Sequence, residues 1–186
     1  IIIIIIIIVI AYMTLQVDLI QQRRRKYSSF HHWIIISTMK TKVLITGISG
    51  WIAQFCAVEL IKEGFFVRGS LRSMQRQQEV VEALSKEVDT TNNLEFCELD
   101  LTKDNGWDKA IENCDAIMHV AGPYPMNFEG PEEDQIKPHE EGTLRILKLA
   151  KSNNVQRVVL TSSIAAVWMG IPGDKDLDES KWTNEK

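Results

Sequence analysis

The stretch Lys42-Val-Leu-Ile-Thr-Gly-Ile-Ser-Gly-Trp-Ile-Ala53 is the most informative part of this 186-residue chain for its fold. A short apolar run ends at Thr46, glycines follow at Gly47 and Gly50, and an apolar pattern with helical spacing begins after Ala53. A strand, a tight glycine turn and a helix start together form a cradle for the pyrophosphate of a dinucleotide. Gly47 permits the turn, Gly50 lets the backbone approach phosphate, and Ala53 allows the helix to pack close to the strand.

Beyond this turn, strand and helix patterns alternate at short spacing. The periodicity predicts strands over 43–46, 65–71, 94–99, 116–120 and 155–160, with helices over 55–64, 74–88 and 142–150 and a short one around Trp107. Thr102 is expected to cap that short helix. The alternation favours an α/β fold, a Rossmann-type doubly wound parallel sheet that this chain follows as far as its fifth strand. The same context disfavours the alternative, a chance glycine turn in another α/β fold.

The first 38 residues differ from the rest of the chain. Ile1–Ile8 is a homopolymer, and the apolar run extends to Met13, whereas a membrane-spanning helix needs about 20 residues. We interpret residues 1–38 as a non-native or disordered leader, translated from non-coding sequence, with Met39 as the natural start. The alternative is a membrane anchor with a basic flank at Arg23–Lys26, which the shortness of the run disfavours.

Charge and cysteine content narrow the class of partner. The leader has four basic residues and Asp18, a net charge of +3, so residues 39–186 carry −7 of a total of −4. An acidic domain argues against nucleic acid as a partner. Cys56, Cys97 and Cys114 form no Cys-x-x-Cys and predict neither a zinc site nor a disulfide framework. We expect a cytoplasmic protein that acts on a small molecule.

The end of the second strand selects the cofactor. A carboxylate there would bind the ribose 2′-hydroxyl of NAD, whereas a basic group would accept the 2′-phosphate of NADP. Residues 67–73 include no acid, and Arg72 stands at the carboxyl end of the strand, where ligands bind. Arg68 lies earlier and is interpreted as a solvated strand residue. A plain surface charge is the alternative for Arg72, but the pattern favours NADP(H).

The third and fourth strands also end in residues suited to a dinucleotide. Asp100 can accept a hydrogen bond from the adenine amino group while Leu101 packs on the ring. An acid that favours a helix N-terminus is the alternative for Asp100, and both roles can hold at once. Ala121 and Gly122 are small enough to let the cofactor pass close to the backbone. His119 lies within an apolar strand and is interpreted as a core histidine.

Three hydroxyl-bearing residues, 161–163, close the fifth strand. A hydroxyl at this edge can hydrogen-bond a substrate carbonyl oxygen as that oxygen gains charge. Strand-end capping is the alternative for one or two of the three.

Two acidic runs in the sequence could be mistaken for metal-binding sites. Four acids between Asp174 and Glu185 match positions 1, 3, 5 and 12 of a calcium-binding loop, but Glu179 stands where the sharp turn needs glycine. We interpret this run as a solvated loop and the acids within 129–134 as an exposed helix start. No metal site is predicted.

With these residues assembled, the chain resembles an extended short-chain dehydrogenase/reductase. Within that group it is similar to the dihydroflavonol-reductase and cinnamoyl-CoA-reductase-like carbonyl reductases, which include fungal aldehyde and methylglyoxal reductases. The resemblance covers residues 40–186 and rests on the segments 43–53, 67–73, 100–101, 119–123, 136–138, 142–150, 158–163 and 178–182. It implies an NADPH-dependent reduction of a ketone or aldehyde to an alcohol.

The resemblance also implies roles for single residues. It assigns the 2′-phosphate to Arg72, the adenine to Asp100 with Leu101, and the catalytic serine to Ser163. The residues that it places along the phosphates are Gly47, Ser49, Gly50, Trp51 and Ile52.

Two departures from the family pattern matter. The family's proton donor is a tyrosine in a Tyr-x-x-x-Lys helix, where the lysine lowers the tyrosine pKa, but no tyrosine follows Ser163 here. The family would place that helix just beyond Lys186, so we expect 39–186 to be an NAD(P)-binding domain incomplete at its C-terminus and inactive alone. Glu141 stands where many members carry Asn. The alternatives are an NAD-dependent sugar-nucleotide epimerase or dehydratase, which Arg72 disfavours, and a non-catalytic dinucleotide-binding sensor.

Overall fold

A computed structural model describes residues 41–123, 130–163 and 166. Within these residues five parallel strands form one sheet, namely β1 (Lys42–Thr46), β2 (Phe66–Leu71), β3 (Leu94–Glu98), β4 (Ala116–His119) and β5 (Arg157–Leu160). Their order across the sheet is β3-β2-β1-β4-β5. The winding direction therefore reverses between β1 and β4, and open parallel sheets bind ligands beyond the carboxyl ends of their strands at such a reversal. The predicted Rossmann-type parallel sheet is confirmed.

The helices that the described residues contain connect these strands. They are α1 (Trp51–Lys62), α2 (Gln77–Leu84), α3 (Trp107–Ile111) and α4 (Glu132–Ser152), with a 3-10 turn at Met74–Arg76 before α2. Three acids occupy the first turn of α4, where they interact favourably with the helix N-terminus, as predicted for residues 132–134. In contrast, α1, whose N-cap residue is Gly50, has neither an acid in its first turn nor a side-chain cap.

Two apolar cores lie on opposite faces of the sheet because successive strand side chains point to opposite sides. Val43 and Ile45 of β1 pack with α1 and α2, whereas Leu44 packs with α3 and α4. All three side chains are fully buried. Burying each stabilises the fold by roughly 1.5–3 kcal/mol, which explains why β1 is continuously apolar. The doubly covered sheet fixes the strand ends and therefore the edge at which a ligand can bind.

Some element boundaries differ from the sequence predictions. The segment predicted as one helix over 74–88 is a 3-10 turn followed by α2, because the Ser73 hydroxyl caps the turn and the helix ends at Leu84. Thr102 does not cap α3, since its hydroxyl donates to Asp100 Oδ1 at 2.8 Å. The N-cap residue of α3 is Gly106, at φ +89°. The second, third, fourth and fifth strands are each shorter than predicted by one or two residues.

Arg68 is not the solvated residue that the sequence suggested. Its guanidinium forms an ion pair with Glu95 and donates from Nη1 to the carbonyl oxygens of Ala110 and Glu112, both at 2.8 Å, at the end of α3. Burial alone would raise the pKa of Glu95, but hydrogen bonds from Lys42 and Arg68 outweigh it and hold that pKa below its ordinary value. Arg68 thus joins β2, β3 and α3 and is unavailable to a cofactor.

Several predictions fall on residues that the structure does not describe. The leader 1–38, Glu129 of the first acidic run and the calcium-like run 174–185 all lie outside the described residues. Within 41–123 and 130–163, no helix is long and apolar enough to cross a membrane. The same part of the chain contains no group of three metal-ligating side chains.

Candidate functional site

A cavity of about 680 Å³ lies at the carboxyl edge of the sheet, where the strand order reverses. Its volume falls within the range of small-molecule sites, roughly 300–1,000 Å³. All ten residues that the sequence singled out for the cofactor line it, namely Gly47, Ser49, Gly50, Trp51, Ile52, Arg72, Asp100, Leu101, Ala121 and Gly122. Residues that follow four different strands therefore meet in one place.

The glycine turn requires its glycine. Gly47 has φ +68°, in the left-handed region that disfavours residues with a side chain. A Cβ added there would lie 2.9 Å from Ala121 Cβ, closer than real contacts allow. The turn closes by a 2.9 Å hydrogen bond from Gly50 N–H to the Gly47 carbonyl. The backbone between β1 and α1 is thus held against the end of β4.

β2 fixes the other side of the turn. Ser70 accepts from Gly47 N–H on its hydroxyl and from Ile48 N–H on its carbonyl, both at 3.0 Å. Ile48 is fully buried against Gly69, where any Cβ would lie 2.4 Å from Ile48 Cδ1. Ser70 and Gly69 were not among the residues predicted for the site. A glycine in the interior of a strand, as at residue 69, is the signal that points to such close backbone approach.

A buried hydrogen-bond network joins the ends of β1 and β4. The Thr46 hydroxyl oxygen accepts from Val120 N–H and Ala121 N–H at 3.0 Å each, so its own proton is directed to His119 Nδ1 at 2.8 Å. His119 is therefore the neutral tautomer with its proton on Nε2. Burial, with a smaller effect from His139, lowers the pKa of His119 from 6.5 to about 4. The prediction of a core histidine is confirmed, and this histidine also orients the strand ends.

The loop after β3 contributes a carboxylate. Asp100 Oδ1 accepts from Thr102 N–H at 3.0 Å and from the Thr102 hydroxyl. These two bonds, with smaller contributions from Lys103 and Arg72, hold the pKa of Asp100 below its ordinary value. The alternative of a helix N-terminal acid is wrong, because α3 begins only at Trp107. Asp100 is an ionised acceptor on the cavity wall.

Arg72 and Trp51 form the open rim of the cavity. Arg72 is exposed and follows the last residue of β2. Trp51 is 60% exposed and packs edge-to-face on Phe55, with ring centroids 4.8 Å apart. A cation and an aromatic surface are therefore both available to a ligand at this rim.

The segment after β4 is constrained by α4. A Cβ at Gly122 would lie 2.6 Å from His139 Cε1, and His139 Nε2 donates to the Pro123 carbonyl at 2.9 Å. A side chain at residue 122 would therefore require the His139 ring to move. Helix α4 also contributes cavity residues that were not predicted, namely Asp134, Gln135 and Pro138. Their distance along the chain from the strand ends left no local signal.

Two further predicted positions lie elsewhere. Ser163 is exposed and is not among the residues that line the cavity. It follows β5 at the same sheet edge, where Thr161 N–H still pairs with the His119 carbonyl at 3.0 Å. Glu141 is exposed on α4 and lies 3.8 Å from Lys137 Nζ. Glu141 is also not among the residues that line the cavity.

Comparison with known proteins matches this geometry to a family. The model of the NAD dependent epimerase/dehydratase family matches residues 43–184. A tetraketide alpha-pyrone reductase of Arabidopsis thaliana is 34% identical over 78% of this chain and 45% of its own length. A dihydroflavonol 4-reductase of Callistephus chinensis is 34% identical over 76% of this chain and 39% of its own.

The solved structures show the same fold. A yeast methylglyoxal/isovaleraldehyde reductase complexed with NADPH superposes with a TM-score of 0.68 and 29% identity, covering 78% of this chain and 45% of that one. The chain thus spans less than half the length of each of these three relatives. Because the family model matches residues 43–184, which is more than half of the chain, the chain belongs to the NAD dependent epimerase/dehydratase family.

Proposed function

We propose that the chain is the cofactor-binding part of an NADPH-dependent reductase of ketones or aldehydes. The observation that carries this proposal is the joint position of the α1 N-terminus and Arg72 on one cavity. All three relatives are reductases by name, and the yeast reductase was solved with NADPH. A cytoplasmic location is part of the proposal.

The residues present fit a dinucleotide. The first N–H groups of a helix have no partner within it, and α1 has neither a capping side chain nor an acid there to compete for them. Backbone donors at Trp51 and Ile52 can therefore bind pyrophosphate oxygens, helped by the helix dipole. At Gly50 a Cβ would lie 3.2 Å from the Gly47 carbonyl, so a side chain would crowd the same cradle.

The remaining lining residues divide the cavity into regions. Arg72 would bind the 2′-phosphate through its charged fork, and Asp100 would accept from the adenine amino group while Leu101 packs on the ring. Ala121 and Gly122 would leave room along the end of β4. The order of these residues around the cavity follows the order of the strand ends, from β2 and β3 at one side to β4 at the other.

The proposed reaction is the reduction of a carbonyl group, and this chain would hold the cofactor and orient the carbonyl oxygen. When bound, NADPH supplies a hydride for a carbonyl carbon. Ser163, beyond β5 at the same edge, would donate a hydrogen bond to the carbonyl oxygen as negative charge develops on it. The proton would come from a tyrosine that this sequence does not contain. The reductase activity is therefore proposed for a longer protein, and cofactor binding for this chain.

Substitution of Arg72 tests the cofactor assignment. Arg72→Ala is expected to raise the Kd for NADPH about 10- to 100-fold, because a charge-assisted contact with phosphate is lost. The Kd for NADH, which has no 2′-phosphate, should change by less than about twofold. Lys86→Ala, which removes an exposed cation outside the cavity, is the matched control. If Arg72→Ala left the ratio of the two dissociation constants unchanged, Arg72 would not be the 2′-phosphate ligand.

A further inference from the structure

An arginine from α4 holds the loop that joins β3 to α3. Arg145 Nη1 donates to the Leu101 carbonyl at 2.7 Å, and its Nε and Nη2 atoms reach Asp104 Oδ1 at 2.8 and 2.6 Å. The Arg145 side chain is only 18% exposed. A residue 44 positions away in the chain thus binds the backbone of Leu101, which lines the cavity.

The surroundings of Arg145 make this contact specific. The guanidinium carbon lies 5.9 Å from the centre of the Trp107 ring, and the Trp107 indole N–H donates to the Lys103 carbonyl at 2.8 Å. Trp107 is buried and lines the cavity. The planar Arg145 guanidinium therefore contacts both the Trp107 ring of α3 and the backbone of the loop. A lysine has no planar group that could make both contacts.

Close packing of α4 places the side chain of Leu101 as well as its backbone. Gly142 is buried in α4, and a Cβ there would lie 3.1 Å from Leu101 Cδ2. Helix α4 thus contacts Leu101 twice, at the carbonyl through Arg145 and at the side chain through Gly142. The neighbouring carboxylate of Asp100 is oriented by the same loop.

We propose that Arg145 is a positioning residue for the adenine half of the cofactor. It holds the Leu101 backbone so that Leu101 and Asp100 face the cavity in the arrangement that adenine needs. The bond to the Leu101 carbonyl carries the effect, because the partner carboxylate of Asp104 is 88% exposed and such exposed pairs contribute little. This inference rests on the proposed NADPH site.

The binding of three ligands distinguishes a positioning role of Arg145 from a general effect on the stability of the fold. In the full 186-residue chain, Arg145→Gln is expected to weaken binding of NADPH and of adenosine 2′,5′-bisphosphate about tenfold each, since one charge-assisted hydrogen bond to the loop is lost. Binding of reduced nicotinamide mononucleotide, which has no adenosine, should stay within about twofold. Lys148→Gln, an exposed cation one turn further along α4, is the matched control.

Two more variants compare the two contacts of Arg145, and they test the proposal even if Arg145→Gln folds poorly. Arg145→Lys should restore part of the affinity for the bisphosphate, and Asp104→Asn should change it by less than about threefold. A fall in melting temperature with unchanged affinities, or an equal loss for all three ligands, would overturn the proposal. A wild-type chain that binds NADPH but shows no effect of Arg145 defeats this inference alone. A wild-type chain that binds none of the ligands defeats the proposed function itself.

Discussion

Gly47→Ala is expected to lower the free energy of unfolding by about 2–4 kcal/mol and to abolish measurable cofactor binding. Two effects add at this position. A left-handed conformation at φ +68° costs a residue with a side chain about 1–2 kcal/mol. The new Cβ would also lie 2.9 Å from Ala121 Cβ and 3.1 Å from its Cα, and backbone cannot rotate out of the way as a side chain can. The turn and the end of β4 must separate, which opens the phosphate cradle.

Gly64→Ala is the matched control for this change. Gly64 has φ +84°, but nothing lies within 4 Å of a Cβ built there. It should cost only the conformational term, about 1–2 kcal/mol, and leave cofactor affinity unchanged. Urea unfolding of both variants measures the difference, and NADPH titration measures the binding. Equal losses of stability, or intact binding in Gly47→Ala, would contradict the crowding against Ala121.

Acidification between about pH 6.5 and pH 4 is expected to cost roughly 3 kcal/mol of stability through His119 alone. The folded-state pKa of His119 is about 4, whereas its ordinary value is 6.5. Between those pH values His119 is protonated in the unfolded chain but not in the folded chain. The contribution of His119 to the free energy of unfolding is therefore fully present above pH 6.5. It is lost as the pH falls toward 4, with a slope of about 1.4 kcal/mol per pH unit.

The physical reason lies in the network at the strand ends. The Thr46 hydroxyl already accepts two backbone N–H bonds, so a proton on His119 Nδ1 would face an oxygen with no lone pair left for it. His119→Asn should preserve an acceptor for Thr46 while removing this slope between pH 5 and 6.5. His139→Asn, on the exposed surface of α4, should largely retain it. A slope that persists in His119→Asn would assign the titration to another group.

Local patterns in the sequence predicted the fold well, because the three central strands β1, β2 and β4 contain buried residues and helices α1 to α4 each bury apolar residues. Val43 to Ile45 could be recognised as a central strand since both cores require apolar residues there. The glycine turn was recognised because its chemistry is contained in eight consecutive residues. Arg72, Asp100 and Ala121 could be predicted as cavity residues because each follows a strand, and parallel strands end at one edge.

Contacts between distant segments could not be predicted in the same way. Arg68 was misinterpreted because alternation along a strand does not reveal that Glu95 and the last carbonyls of α3 surround it. Arg145 has a helical neighbourhood like that of any surface residue, and its bond to the Leu101 carbonyl depends on how α4 packs against the loop. Threonine is a residue type that often caps helices, but the Thr102 hydroxyl donates to the nearby Asp100 carboxylate instead.

We expect the cavity at the carboxyl edge of the sheet to bind NADPH in preference to NADH. Calorimetric titration of the 186-residue chain with each dinucleotide, at matched ionic strength, tests it most directly. We expect saturable binding of NADPH at one site, with a Kd at least about tenfold lower than that for NADH. Equal affinity, tighter binding of NADH, or no binding of either dinucleotide would contradict it.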